Sequence, residues 1–399
     1  MPPRVPDVTA DTFRELSRER RLIVELDGEI LRTQIEVAQI AAPTGAERRR
    51  AKWVAEHLAA SGLHTATDDA GNVVARAPGA YADAPVVVCA HLDTVFPDET
   101  SLAVRWQGTR VVGPGICDNG RGLAVMLVLA RLVSSCRAAF ARAVEFVATT
   151  GEEGAGDLRG AKHYFANTPR PFAVIALDGA GDERIVNTAL GSRRFRVVYN
   201  GPGGHSWAAF GTPNPVHAVA RAATTLASLR VRGAGRSALS VSRIGGGMSI
   251  NAIPEEAWLE IDSRSTSPAT LGVLESDIRV IAAAAAAEEN DHRAPGTPAL
   301  TFQIERIGDR PGGRTAEESP LVVAALEATR LVGREPELGT ASTDANAAIG
   351  AGAPAIAIGG GGRGGDAHTR REWFDNTGAT AGVERALTIV ATMARLAAD

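Results

Sequence analysis

Three apolar runs, at 86–90, 144–148 and 173–177, the second broken only by Glu145, constrain this chain more than any other feature of its sequence. A strand with one wet face alternates polar and apolar residues, whereas one covered on both faces does not. Each run therefore reads as an interior strand of a sheet with helices above and below it. Between the first two, 122–132 (Gly-Leu-Ala-Val-Met-Leu-Val-Leu-Ala-Arg-Leu) reads as a buried helix, so this half is α/β with a sheet at least partly parallel. The pattern returns near the end of the chain, with a helix over 320–331, an apolar strand over 353–358, a glycine-rich loop and a last helix from about 379.

Ahead of these runs, Leu16, Ile23, Leu26, Ile30 and Val37 predict one helix over about 11–40, which Ala-Pro-Thr-Gly at 42–45 ends. A second helix runs to about 60, followed by short strands near 63–67 and 72–77. From about Gly191 the texture changes to Arg-rich alternating segments, 194–199 and 258–262, separated by helices over 215–229 and 270–289. That is an α+β insertion. Its alanine run at 282–287 reads as a solvent-flanked helix, because alanine is the best helix former.

The 42 basic and 46 acidic residues are interspersed and leave a net charge of -4, which argues against nucleic acid as a partner and for a small molecule. No apolar run reaches the ~20 residues of a membrane span, and the first twenty residues hold no apolar targeting core. Cys89, Cys117 and Cys136 lack paired spacing. A reducing, cytoplasmic setting is the expectation.

Every buried strand is followed by residues that can bind a metal. His91 and Asp93 leave the end of the first run on one face, so one can ligate an ion while the other orients the imidazole. Asp118 sits in the loop entering the buried helix, where its carboxylate can bridge two cations or merely cap the helix. Glu152 and Glu153 follow the second run in Thr-Thr-Gly-Glu-Glu-Gly. Adjacent residues entering a helix point roughly 100° apart, so one can ligate while its neighbour acts as general base. Asp178 follows the third run and His368 lies beyond the glycine loop. Open α/β sheets bind ligands at strand carboxyl ends, and imidazole with carboxylate most suits zinc, with cobalt or manganese as substitutes.

As an ordered set, His-Leu-Asp-Thr-Val (91–95), Gly-Ile-Cys-Asp-Asn-Gly-Arg-Gly (115–122), Gly-Glu-Glu-Gly (151–154), Asp178, Gly-Pro-Gly-Gly-His-Ser (201–206), Asn-Ala-Ile-Pro (251–254) and His368 run nearly end to end. In them the chain resembles the dinuclear zinc peptidase and deacylase family of carboxypeptidase G, peptidase T, acetylornithine deacetylase and aminoacylase-1, and most of all its peptidase T-like members. The resemblance implies an α/β catalytic domain, a mixed and largely parallel sheet flanked by helices, from 1–191 and 311–399. It implies an inserted α+β lid and dimerisation domain over 192–310, and a homodimer formed through it. His91 and Asp178 would hold one zinc, Glu153 and His368 the other, with Asp118 bridging, Asp93 orienting and Glu152 as general base. His205 would serve the partner subunit's site, and Asn251 and Arg264 would contact substrate.

Aspartate at 178 resembles the aminopeptidases and dipeptidases, which tilts the expected substrate to a small peptide rather than an N-acyl amino acid. Arg264 has an equally weighted alternative as a structural ion-pair partner. A binding protein that kept the fold without hydrolysis is the reading from another class, and the presence of every expected ligand weighs against it. The glycines at 359–365 lack a following Walker lysine and instead let the chain turn before His368.

Overall fold

In a computed structural model of the chain, which describes residues 4–136, 140–231, 233 and 235–396, the backbone forms two compact units. One comprises Met1–Ala189 and Arg314–Asp399, the other Leu190–Gly313.

The first unit is built on a nine-stranded sheet. Strands Arg142–Thr149, Tyr81–His91, Ala173–Leu177 and Ala355–Ile358 lie side by side in that order and run parallel. The apolar runs are covered on both faces, as their composition requires. Val86, Val88 and Ala90 pack into a core with the helices Gly120–Ser135 and Thr380–Arg395, while Val87 and Cys89 pack on the other side with Arg159–Asn167 and Ala345–Gly350. Burying each valine contributes about 1.5–3 kcal/mol, which leaves little freedom in the register of the strand. Antiparallel strands His64–Thr67 and Val73–Ala77 finish one edge. At the other, Arg184–Ala189 lies antiparallel to Ala355–Ile358 and parallel to Glu337–Ala341. The sheet is thus mixed and largely parallel, and four parallel carboxyl ends meet on one edge.

The expected single helix over 11–40 is three, Val5–Glu15, Ser17–Glu25 and Asp27–Ala38, with turns at Leu16 and Leu26. The buried residues Leu16, Ile23, Ile30 and Val37 recur every seven positions. A straight helix drifts about 20° per heptad away from such a stripe, and the two breaks re-aim it toward the core.

The second unit is a four-stranded antiparallel sheet in the order Ser237–Gly246, Glu256–Ser265, Gly191–Asn200, Thr301–Arg310. Glu256–Ser265 buries alternate residues, and helices Pro215–Ser228 and Pro268–Asp291 cover that face. Two of these strands were not legible in the sequence. Ser237–Gly246 is exposed or half-exposed throughout, and only Leu239 and Val241 on its inner face pack against the core, too short a pattern to mark it. The alanine run is flanked by solvent on one face only, where Ala283, Ala284 and Ala287 are exposed. Ala282, Ala285 and Ala286 are buried against the sheet, and the Ala282 carbonyl accepts from the Tyr199 hydroxyl at 3.0 Å. Small side chains let the helix lie close to the strands.

Candidate metal centre

The loops that leave the four parallel strands bring four of the expected ligands into contact. His91 ends its strand with Nδ1 3.0 Å from the carbonyl of Asp93, which leaves Nε2 facing Asp118 Oδ1 at 3.0 Å. The other oxygen of Asp118 is 3.1 Å from His368 Nε2, and that nitrogen is 2.9 Å from Glu153 Oε1. Ligand atoms of His91, Asp118 and Glu153 all lie within 4.8 Å of one another. A neutral His91 that donates from Nδ1 carries a lone pair on Nε2. A lone pair and a carboxylate oxygen at hydrogen-bond distance need a cation between them, whether a proton or a metal ion.

The electrostatics follow from that crowding. Burial alone would lower His91, but contacts with Asp118 and Asp93 outweigh it and hold the imidazole well above its ordinary value. His368 is raised to about 9, first by its contact with Asp118. Burial would raise Asp118, yet the two imidazoles drive it well below the usual carboxylate range. Asp178 is half-buried beside them, and burial followed by the charge of Asp118 pushes it up to about 7. Burial is also the first cause raising Glu153.

Asp93 does more than orient His91. It is fully buried, and its carboxylate stands 3.6 Å from His91 Nδ1, farther than its own carbonyl. Its two oxygens accept the N–H groups of Glu152 at 2.9 Å and Glu153 at 3.0 Å, and the Thr44 hydroxyl at 2.8 Å. Burial pushes Asp93 up, but His91 and those two N–H groups bring it down to about 2. One carboxylate thereby fixes the strand end that carries His91 and the acidic loop that carries Glu152 and Glu153. Glu152 is 5% exposed, and its charge contributes to raising His91.

Several supports escaped the sequence reading. Asn119 caps Gly120–Ser135 by accepting from Gly122 N–H at 3.0 Å and donates to the Leu177 carbonyl at 2.9 Å, tying the Asp118 loop to the strand that Asp178 follows. A Cβ at Gly122 would lie 2.1 Å from Asn119 Oδ1, so only glycine fits there. Arg50, fully buried, donates to the Leu92 carbonyl at 2.8 Å. Glu47 accepts from Gly151 N–H at 3.0 Å, and Glu372 accepts from three N–H groups of the Asp118 loop. Asn119, Gly122 and Glu372 lie within or beside the motifs, whereas Glu47 and Arg50 give no local signal. A buried loop must satisfy its backbone groups, and side chains flanking a motif are the nearest partners.

The glycines at 359–365 pack against protein. Arg121 donates to the Gly360 carbonyl at 2.8 Å and Arg385 to that of Gly359 at 2.9 Å. A cavity of about 1090 Å³ opens beside Asp118 and Asp178, lined also by Gly179, Arg363, Gly364 and Trp373. Its size suits a small organic substrate.

The remaining expected site residues belong to the second unit. His205 is exposed on the short strand Gly204–His205, which pairs with Ala252–Ile253. Its Nδ1 accepts from Trp207 N–H at 3.2 Å, which puts the proton of the neutral ring on Nε2. Asn251 is exposed in the turn just before Ala252–Ile253 and accepts from Ser249 Oγ at 2.5 Å. Arg264 donates to Asp262 at 2.7 Å and makes no hydrogen bond or ion pair with His205 or Asn251.

Residues 72–198 match Peptidase family M28, and residues 187–290 match a peptidase dimerisation domain. A Pyrococcus abyssi protein named as a LysW-lysine/LysW-ornithine hydrolase is 30% identical over 164 residues, which span 41% of this chain and 44% of that relative. A tripeptidase from Staphylococcus aureus superposes with a TM-score of 0.75 at 20% identity, covering 93% of this chain and 99% of that one. Aminopeptidase PepT from Bacillus cereus gives 0.73 at 20% identity, covering 92% and 99%. Those two likenesses establish the fold.

Proposed function

We propose, starting from a chain that belongs to the family of dinuclear metal-dependent peptidases and amidohydrolases, that it cleaves an amide bond in a small peptide. The observation that carries this reading is Asp118, which turns one oxygen to each of two imidazoles, as a carboxylate bridging two cations would. His91 and Asp178 would hold one ion, Glu153 and His368 the other. Imidazole nitrogen with carboxylate oxygen is a donor set that suits zinc, and cobalt or manganese fit the same set. Bound there, the ions would polarise the scissile carbonyl and acidify a water.

The chain's own residues do the rest. Glu152, buried beside His91, accepts the proton of the attacking water and returns it to the leaving amine. Asp93 holds the loop that presents Glu152 and Glu153. Asn251 contacts the substrate carbonyl, and His205 donates from Nε2 to the developing oxyanion in a partner's site, within a homodimer formed through the second unit. Support for the homodimer comes from the dimerisation-domain match and from Trp207 and Phe210, which flank His205 at 87% and 88% exposure. Arg264 we read as the structural partner of Asp262. The free state of all three cysteines accords with a cytoplasmic setting.

Elemental analysis of the purified protein, with a panel of di- and tripeptides and N-acyl amino acids, tests the proposal. Two ions per chain and turnover of peptides are expected. Preference for N-acyl amino acids would shift the reading to an amidohydrolase with the same centre, which the P. abyssi relative favours through its named substrates. Protein that takes up no metal and hydrolyses nothing would leave only a binding role for the fold.

A further inference from the structure

We propose that Glu372 is a positioning residue that clamps Asp118 and His368 into one unit, so that both candidate metal ions share a single rigid support. The inference rests on the reading of the centre given above and concerns a residue outside its ligand set.

Glu372 is fully buried, and among the described residues it makes no ion pair within 4.0 Å. Its carboxylate is instead surrounded by backbone N–H groups. Oε2 accepts from Gly115 at 2.8 Å, and Oε1 accepts from Cys117 at 2.7 Å and Asp118 at 2.6 Å. Its own carbonyl accepts from Gly113 at 2.9 Å, so the segment 113–118 is curled around this one residue. Gly115 makes the curl possible with a φ of 67°, a conformation that other residues adopt only under strain.

Glu372 follows His368 by only four positions, and the turn between them is stitched closed. Thr369 N–H and hydroxyl both donate to the Asp366 carbonyl, Arg371 N–H donates to the Thr369 hydroxyl, and Glu372 N–H donates to the Thr369 carbonyl. Asp118 is therefore gripped at both ends by the same turn. Its amide is fixed by Glu372 and its carboxylate by His368, 3.1 Å away. A closed ring of this kind fixes the distance between the bridging carboxylate and the imidazole without using either as a structural anchor elsewhere. The next residues, Trp373–Asp375, pair with Arg110–Val112 and hold the clamp against the unit's second small sheet.

A carboxylate is needed for this task. Three N–H donors converge on two oxygens, and a carboxylate accepts them all, whereas an amide turns its NH2 toward at least one of them. Glu372→Gln thus replaces an acceptor by a donor facing a donor, although the two side chains have nearly the same shape. Glu372→Asp keeps the charge and both acceptors with a shorter reach. Losing a partner that orients a metal ligand typically costs about 10–100-fold in metal affinity.

The test is a zinc titration of the full chain against a chromogenic chelator, with thermal unfolding of the metal-free proteins measured in parallel. Glu372→Gln is expected to bind at least one of two zinc ions about 10–100-fold more weakly than wild type, with Glu372→Asp in between. Unchanged affinity for both ions in Glu372→Gln would overturn the clamp, and so would equal defects in the two variants. If Glu372→Gln fails to fold, Glu372→Asp decides alone, since wild-type affinity in it would also overturn the proposal. A wild-type chain that binds no zinc, cobalt or manganese sinks the reading of the centre itself, whereas a metal-binding wild type with indifferent variants sinks only the clamp.

Discussion

The two units hold their candidate site residues in opposite ways. In the first, His91, Asp93, Glu152 and Glu153 are all 6% exposed or less, and each backbone that carries them is tied by a buried side chain. In the second, His205 stands exposed on a two-strand ladder and Asn251 in the turn beside it, each side chain with one local contact. Groups that place charge and metal must be fixed before substrate arrives, because reorganising a polar site in the transition state adds to the barrier. A hydrogen-bond donor standing in water contributes little until something excludes the water. Most of the first unit's centre is thus packed in place, with His368 as its exposed member, whereas the candidate residues of the second unit stand in solvent.

The strongest way to break this contrast is Glu152→Gln. If Glu152 carries the proton, kcat should fall by about 10²–10⁴-fold while the metal content stays at the wild-type level. Loss of metal together with activity would make Glu152 a ligand rather than a base.

His205→Ala should reduce kcat by about 10²–10³-fold and leave metal content unchanged, because the residue belongs to the other unit. Its sharper form is complementation. Mixing His205→Ala with Glu152→Gln chains yields hybrid dimers in which one site has both residues if His205 acts in trans. Turnover should then recover to about a quarter of wild type. No recovery in a mixture that exchanges subunits would mean that His205 serves its own chain.

Proton release probes the first unit's centre without a mutation. In the metal-free protein His368 titrates at about 9 and His91 well above its ordinary value, so both imidazoles are protonated at pH 7. A cation needs the lone pair that each proton occupies. Uptake should therefore release protons, and apparent affinity should fall about tenfold per pH unit for each proton displaced as pH drops below about 9. Calorimetry of zinc binding in buffers of differing ionisation heat reads this directly. Heats that do not depend on the buffer would mean that the imidazoles are neutral beforehand.

The same contrast explains what the sequence made legible. Buried strands such as 86–90 and 144–148 are visible because burial on both faces leaves an apolar run, and the residues after them are visible because acids and histidines are conspicuous beside it. The supports are not. Glu372, Glu47 and Arg50 act on backbone groups that carry no sequence identity, so nothing local announces that Glu372 reaches a loop more than 250 positions away. The strand Ser237–Gly246 is hard to read for a related reason, since its inner face offers only Leu239 and Val241 amid polar and glycine residues. Asp93 reads as orienting an imidazole, and the sequence gives no sign that its carboxylate also accepts two N–H groups of the acidic loop.

Arg264 should give the smallest effect and the cleanest test of the second unit. Its guanidinium is 41% exposed and donates to Asp262, which also accepts from Arg194 at 3.2 Å. Removing one arginine leaves Asp262 paired, and partly exposed ion pairs contribute only about 0–1 kcal/mol. Arg264→Ala should therefore lower stability by less than about 1 kcal/mol and leave KM nearly unchanged. An arginine that instead releases Asp262 to grip a substrate carboxylate would behave differently. Losing a charge-assisted bond worth about 1.5–3 kcal/mol would raise KM roughly 10- to 150-fold, and only for substrates with a free carboxylate. Comparing a peptide with its C-terminal amide in the variant separates the two. A KM defect confined to the free acid would move Arg264 out of the sheet's own ion pairing and place it with His205 and Asn251, among the groups that act on substrate.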